Sequence, residues 1–370
     1  MNPITLFIPT YGKWHFTSVC LEFALRGLEG AELDEILIVN TRVPPWEAEE
    51  DDTEIQLEKI QQIGAFGQPA EKFRIMTLEE NLGPTLTFNH GIELAKNMND
   101  VVILNNDIFL AENWLEPLIR CAYAPHHESL VAWVGPYLAP EICLDPMFPL
   151  DFRKHYLEQV HSQFVDCRTP AQVKHLLHKF YQGNFFKFGA EFVQRNQGKL
   201  YDQVHGGCAL IKRSAIDAGI GTCDPDFAYT LPEYNGNKTF RFGRGSDDID
   251  MWIRITNAEK FTVMCFESFG HHVVNGSSYQ RGTKLYGDGD PFILNGNRLI
   301  KKWELTNEEI VYPFELAGSK LPHRKFRPRQ TPLPSHTNIM KVNWGLGDEI
   351  GFPYMINKLG GIDRTEVFPL

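Results

Sequence analysis

Three groups of residues have the types and spacing for chemistry. In DVVILNNDIFL, four apolar residues (101–104) run directly into Asn105, Asn106 and Asp107. A carboxylate and two amides at the end of a buried strand put hard oxygen ligands at the mouth of a sheet. A divalent ion held there can neutralise a diphosphate leaving group. The plainer reading is a polar turn that ends the strand and leads to a helix starting near Asn113. In GSDDIDMWIRI, Gly243 and Gly245 loosen the chain before Asp247, Asp248 and Asp250. Acidic residues in a first helical turn are stabilised by the helix dipole. Three carboxylates in four residues exceed what a cap needs, and one could accept a proton from an attacking hydroxyl. In ESFGHHVVNGSS, His271 and His272 follow a strand and could supply an imidazole to a metal or a hydrogen bond to phosphate.

Two further motifs are weaker. ENLGPTLTFNHGIELA places Asn81, Gly83, Asn89 and Gly91 around a helix start, where free N–H groups can face a ligand. It matches neither a Walker A loop nor a dinucleotide fingerprint. HGGCALIKRSAI puts Gly206 and Gly207 ahead of an apolar strand and Lys212–Arg213 after it. A tight turn into a core strand would look the same.

Elements that could position these residues alternate along the first 135 or so positions. Apolar runs predict strands over 4–8, 35–40, 73–77, 101–105 and 130–134, and amphipathic spacing predicts helices over 14–26, 53–63, 85–97 and 114–124. Pro9, Gly12 and Pro84 mark the hand-over turns. Such alternation implies a mostly parallel sheet wrapped by helices, with chemistry beyond the carboxyl ends of the strands. From about 138 to 201 the pattern turns helical, around 152–164 and 170–180. Strand and helix signals return at 206–213, 246–255 and 262–266. From about 282 the chain is punctuated by Gly and Pro and carries the basic run KLPHRKFRPRQ, with Arg324, Lys325, Arg327 and Arg329.

Composition narrows the classes. A formal charge of −11 over 370 residues argues against a general nucleic-acid coat or an anionic-membrane binder. Seven scattered cysteines without CxxC spacing fit reduced, mostly buried thiols better than a disulfide framework or zinc site. MNPITLFIPT begins a strand at once, and no apolar run approaches the ~18–20 residues of a membrane span. A soluble, cytoplasmic protein without a transmembrane segment is expected.

Taken in order, IPTYGKW, ENLG, LNND, GG-C-LIKRS, DD-I-D and a late histidine resemble the family-2 group of inverting GT-A glycosyltransferases, over about residues 3–276. The resemblance implies a GT-A fold: a Rossmann-like, mixed but mostly parallel sheet flanked by helices, here with a helical insertion and a C-terminal extension. It implies a transferase domain over 1–281 and an extension over 282–370. Pro9, Thr10 and Tyr11 match the loop that receives the nucleotide sugar. Asn40 matches a second nucleotide-contacting edge where relatives carry an aspartate. Asn81 and Gly83 lie in the ENLG segment. Asn105, Asn106 and Asp107 occupy the DxD position, which leaves Asp107 as the metal ligand. Gly206 and Gly207 match the turn under the donor sugar. Asp247 and Asp248 match the acidic pair that supplies the base, with Asp248 favoured. His271 or His272 matches a late metal or phosphate ligand.

The implied reaction moves a sugar from a nucleotide diphosphate to an acceptor hydroxyl by one displacement, with Mn2+ or Mg2+ as cofactor. Residues 240–246 are expected to form a lid. The insertion and extension are expected on the acceptor side, facing a saccharide, a lipid-linked saccharide or another hydroxylated acceptor. A hydroxylated DNA base is the minority acceptor, favoured by the basic run and opposed by the net charge. A nucleotidyltransferase would carry a Gly-rich, Arg-bearing loop after the first strand, and IPTYGKWHF has one glycine and no arginine. A non-catalytic sugar- or nucleotide-binding protein would not need the acidic pair.

Overall fold

The computed structural model describes residues 1–28, 32–43, 51–125, 128–129, 131–140, 147–148, 152–202, 207–228, 230–231, 240–241, 247–273, 298–299, 301–303 and 314–315. The first half alternates: β1 (Ile4–Thr10), α1 (Trp14–Arg26), β2 (Glu35–Thr41), α2 (Thr53–Ile63), β3 (Phe73–Leu78), α3 (Gly83–Leu94), β4 (Asp100–Leu104), β5 (Ile108–Leu110), α4 (Leu115–Tyr123) and β6 (Val131–Ala139). The insertion supplies α5 (Phe152–His155), a π-helical turn (Tyr156–Val160), α6 (His161–Val165), α7 (Pro170–Phe180) and α8 (Phe185–Arg195). Then come β7 (Leu200–Asp202), β8 (Cys208–Ile211), α9 (Arg213–Asp217), β9 (Thr230–Leu231), β10 (Phe240–Arg241), α10 (Asp247–Asn257), β11 (Phe261–His272) and β12 (Phe314–Glu315). This is the mixed, mostly parallel α/β arrangement of the GT-A type.

The main sheet runs β12-β7-β11-β6-β8-β4-β1-β2-β3, with β5 paired to β11. Strands β1 to β4 are mutually parallel. β8 is antiparallel to both β4 and β6, so β6 runs with β4, and β11 is parallel to β6. The carboxyl ends of β1, β2, β3, β4, β6 and β11 therefore share one edge. So do the amino end of β8 and the start of α3, which follows β3.

Burial explains the strand sequences. Every residue of β4 and of β6 is buried, as expected of central strands covered on both faces. Helices α1, α4 and the insertion pack on one face of the sheet, and α3 and α9 on the other. α3 lies very close to β1: a Cβ on Gly91 would come within 2.1 Å of the Phe7 ring. The insertion is part of the larger core, through Tyr156, Phe164, Leu177, Phe185 and Phe192.

Several boundaries move. α3 starts at Gly83 because Pro84 occupies its first turn, where the missing N–H is harmless. Asn81 Oδ1 accepts the Gly83 N–H at 2.8 Å and steadies that start. The strand expected over 262–266 runs on through both histidines, across a register shift between Cys265 and Phe269. α8 and β5 are additions to the predicted set. Helix 152–164 is interrupted by the π turn.

The C-terminal extension joins the same body where it is described. Leu299 packs with Phe227, Trp252 and Ile253, and β12 pairs with β7. The six cysteines among the described residues are free and buried. No helix among them is long and apolar enough to cross a membrane.

Candidate active site

At the end of β4 the three polar residues take three different roles. The Asn105 N–H donates to the Gly207 carbonyl at 2.8 Å, tying the turn to the amino end of β8. Asn106 is buried and donates from Nδ2 to Thr17 Oγ1 on α1 at 3.0 Å. Its amide therefore serves the sheet–helix contact and not the open edge. Asp107 is 3% exposed, and its Oδ1 lies 3.6 Å from Nε2 of His272. β5 pairs with the end of β11 in the register His272↔Ile108, which brings the two side chains together.

Gly207 completes this corner. A Cβ there would lie 2.6 Å from Ile108 Cδ1, 3.6 Å from Asn105 Nδ2 and 3.7 Å from His272 Cε1. A side chain there would have to displace the tip of Ile108. Gly206 lies outside the described residues, so the first half of the Gly-Gly turn is not placed.

The structure separates the histidine pair. Neighbouring side chains on a strand face opposite ways. His272 faces Asp107, while His271 is fully buried among aromatic rings. Both ring nitrogens of His271 meet tyrosine hydroxyls, Nδ1 with Tyr181 at 2.9 Å and Nε2 with Tyr156 at 3.3 Å. Of the two histidines expected as alternative ligands, His271 has a tyrosine partner at each ring nitrogen, and His272 is the one beside Asp107. Burial, then the neighbouring His272, hold its pKa well below the usual histidine value.

On the other side of the edge, Thr10 and Asn40 stand opposite each other at the ends of β1 and β2. Thr10 Oγ1 donates to Asn40 Oδ1 at 2.8 Å, and both residues are buried. Pro9 and Tyr11 flank Thr10 and are partly buried. Lys13, next along, has φ 55 and caps α1 without a side-chain bond.

α10 brings its carboxylates to the same edge. Asp247 Oδ2 accepts the Thr85 hydroxyl at 2.9 Å, and Thr85 sits in the first turn of α3. Burial raises the Asp247 pKa, against the pull of Thr85 and backbone N–H groups. Asp248 is partly buried and its Oδ1 accepts the Ile249 N–H at 2.8 Å. Asp250 is fully buried and belongs to the packing. It accepts from Arg254 Nε at 2.9 Å and Trp303 Nε1 at 2.8 Å, with Lys302 Nζ at 2.6 Å.

Sequence reasoning missed the residues that join these parts. Thr85 links the two motifs. Asn89 clamps Cys223 reciprocally, with Nδ2 to its carbonyl and Oδ1 from its N–H, both at 2.8 Å. Asn89 stood among the residues named around the start of α3, but its partner Cys223 did not. Nothing in the sequence pointed to Lys302 and Trp303. The lid expected over 240–246 falls outside the described residues from 242 to 246, as does the basic run 320–329.

Among the described residues no group of three or more His, Cys, Asp or Glu could hold a metal. Asp107 and His272 are a two-ligand corner. That fits an ion completed by a substrate's phosphate oxygens and water, as Mg2+ commonly is, and a mixed carboxylate–imidazole pair also suits Mn2+.

The recognition made from the sequence holds in the N-terminal part, where residues 5–140 match the profile of glycosyl transferase family 2. No curated protein matches in sequence. Among solved structures, GalNAc-T7 with UDP, GalNAc and Mn2+ superposes with a TM-score of 0.47 at 12% identity, over 82% of this chain and 48% of that one. The mannosyltransferase PcManGT from Pyrobaculum calidifontis, with GDP-Man and Mn2+, gives 0.44 at 14%, over 76% and 58%. S. aureus TarS 1–349 with UDP-GlcNAc gives 0.43 at 10%, over 82% and 67%. The chain spans about half the length of the GalNAc-T7 chain.

Proposed function

We propose that the chain transfers a sugar from a nucleotide diphosphate sugar to an acceptor hydroxyl, in one displacement that inverts the anomeric carbon. One observation carries the reading. Asp107, His272, Asn105 and the side-chain-free Gly207 meet at a single sheet edge, to which Thr85 also ties the α10 carboxylates. The family match over residues 5–140 supports it.

Asp107 and His272 would hold a divalent ion, Mn2+ or Mg2+. When bound, such an ion stabilises the charge growing on a departing diphosphate. Pro9, Thr10 and Tyr11 form the wall that receives the nucleotide, with Asn40 fixing Thr10. Gly207 brings its backbone close beside Asn105, under the donor sugar. Asp248 takes the acceptor proton as the hydroxyl attacks, and Asp247, held by Thr85, sets the first turn of α10. With the base separate from the leaving-group corner, attack and departure proceed in line. The acceptor is a saccharide, a lipid-linked saccharide or another small hydroxylated molecule.

A panel of nucleotide sugars incubated with and without Mn2+, reading free nucleoside diphosphate, tests this. Release with one donor and only with the ion is expected. Binding of a nucleotide sugar with no release from any donor, across a panel of acceptors, would make the chain a binding protein.

A further inference from the structure

A hydrogen-bonded chain runs from the helical insertion to the backbone of Asp107. Tyr181 Oη lies 2.9 Å from His271 Nδ1, and His271 Nε2 lies 3.3 Å from Tyr156 Oη. Tyr156 donates its hydroxyl hydrogen to the Val273 carbonyl at 3.2 Å. The Val273 N–H in turn donates to the Asp107 carbonyl at 3.0 Å. Tyr156, His271 and Val273 have no exposed surface, and Tyr181 has 2%.

The direction of the bonds at Tyr156 can be deduced. A hydroxyl has one hydrogen, and a carbonyl can only accept. Tyr156 therefore spends its hydrogen on Val273 and can only accept from His271, so Nε2 carries the imidazole proton. On its other side the ring meets the Tyr181 hydroxyl through Nδ1. Phe109, stacked at 6.3 Å, and Phe164, at 5.2 Å, close the ring in.

The place where this chain ends gives it a consequence. Asp107 lies between β4 and β5, and His272 ends β11, so their 3.6 Å separation depends on how β5 seats against β11. Val273 is the next residue after His272, and it is bonded on both sides: to Asp107 through its N–H and to Tyr156 through its carbonyl. Tyr156 reaches it from the π turn, a helical irregularity often kept at functional sites.

We propose that Tyr181, His271 and Tyr156 are positioning residues. Through Val273, the insertion holds Asp107 and His272 at the spacing that lets them share one divalent ion. The proposal rests on the reading of Asp107 and His272 as the metal pair.

Mn2+ titrated into the full chain, with the free ion followed by its EPR signal, tests it without any turnover. Tyr156→Phe and Tyr181→Phe each remove one hydroxyl and keep the ring. Each should weaken Mn2+ binding about tenfold, the low end for partners that orient metal ligands. The double variant should be little worse than either, because the bonds act as one unit. Phe164→Leu, in the same aromatic box but outside the chain, should lower Tm and leave Mn2+ affinity unchanged. Tyrosine variants that bind Mn2+ like wild type, while Asp107→Ala does not bind it, would overturn the positioning role alone. Wild type that takes up no more Mn2+ than Asp107→Ala would overturn the metal pair and the positioning role together.

Discussion

At Asn105–Asp107 the polar run follows a strand buried along its whole length, whereas at Asp247–Asp250 it opens a helix. The strand-end motif is fixed from both sides: Asn106 is bonded to α1, Asn105 to β8, and Asp107 to Val273. The helix-start motif is fixed from one side. Asp250 is locked into packing by Arg254, Lys302 and Trp303, and Asp247 leans on Thr85. In each motif the fold uses up some of the polar residues. The members to which the proposed reaction gives chemistry are Asp107 in the first and Asp248 in the second. Under that proposal, polar clusters that look equivalent in sequence divide into structural and chemical members according to which neighbours need hydrogen bonds.

Replacing the members one at a time should break that division if it is wrong. Asp107→Ala should lower ion-dependent transfer by on the order of a thousandfold, since it removes the one carboxylate that, among the described residues, stands at the proposed ion site. Wild-type rates at saturating Mn2+ would place the ion elsewhere. Asp250→Ala should cost stability and not chemistry as such, by about 3–5 kcal/mol, because it strands Lys302 and Arg254 beside an emptied buried position. Denaturant unfolding measures this, and a loss under about 1 kcal/mol would mean the network is a loose surface feature.

Asp248→Asn should lower transfer by on the order of a hundredfold with donor affinity intact, as expected of a base that acts on the acceptor. Asp247→Asn should do less. If the order is reversed, the base is the residue bonded to Thr85. The Asp247 variant also carries a pH signature. Its carboxyl is raised by burial, so the folded state favours the protonated form. That preference contributes stability at pH below the ordinary carboxylate range and is lost as pH rises through the raised value. Asp247→Asn should therefore match or exceed wild type in Tm at neutral pH and lose any advantage in acid.

The smallest effect concerns His15, whose pKa is lowered to about 4, mainly by burial and then by Lys13 and Arg168. The folded state favours the neutral ring, so stability should fall as pH drops from the unfolded value of 6.5 toward 4. His15→Gln should flatten that part of the Tm–pH curve. An unchanged slope would assign the acid loss to other groups.

The sequence was most legible where one physical signal dominated. α1, α2 and α7 fall at the predicted bounds because their apolar spacing is regular, and α7 alone of the three adds a side-chain cap, Thr169 with Gln172. β11 was expected only to Phe266, ahead of Glu267, Ser268 and Gly270. The strand carries them across a register shift instead, made tight by Gly270 against Leu138 and Leu110. The strand-end and histidine motifs were found. Their division of labour was not, since which of two adjacent histidines faces Asp107 depends on strand phase. The partners of His271 lie 90 and 115 residues away in sequence. Lys302 and Trp303 were invisible for the same reason: a buried ion pair is made by contacts between distant segments, and local pattern carries no trace of them.

Gly91 shows how this arrangement constrains the chain's future. Elsewhere an interior helical glycine is an open invitation to alanine, worth roughly 0.5–1 kcal/mol in helix preference. Here the methyl would enter the Phe7 ring, and either that buried ring or α3 would have to give way. That helix carries Thr85 and Asn89, so lifting it would carry the Asp247 anchor and the Cys223 clamp along. Gly91 is in effect a spacer gauge between sheet and helix. A mutational search that rewards helix preference alone would put the alignment of one edge of the site at risk, and at this codon every residue with a side chain meets the Phe7 ring.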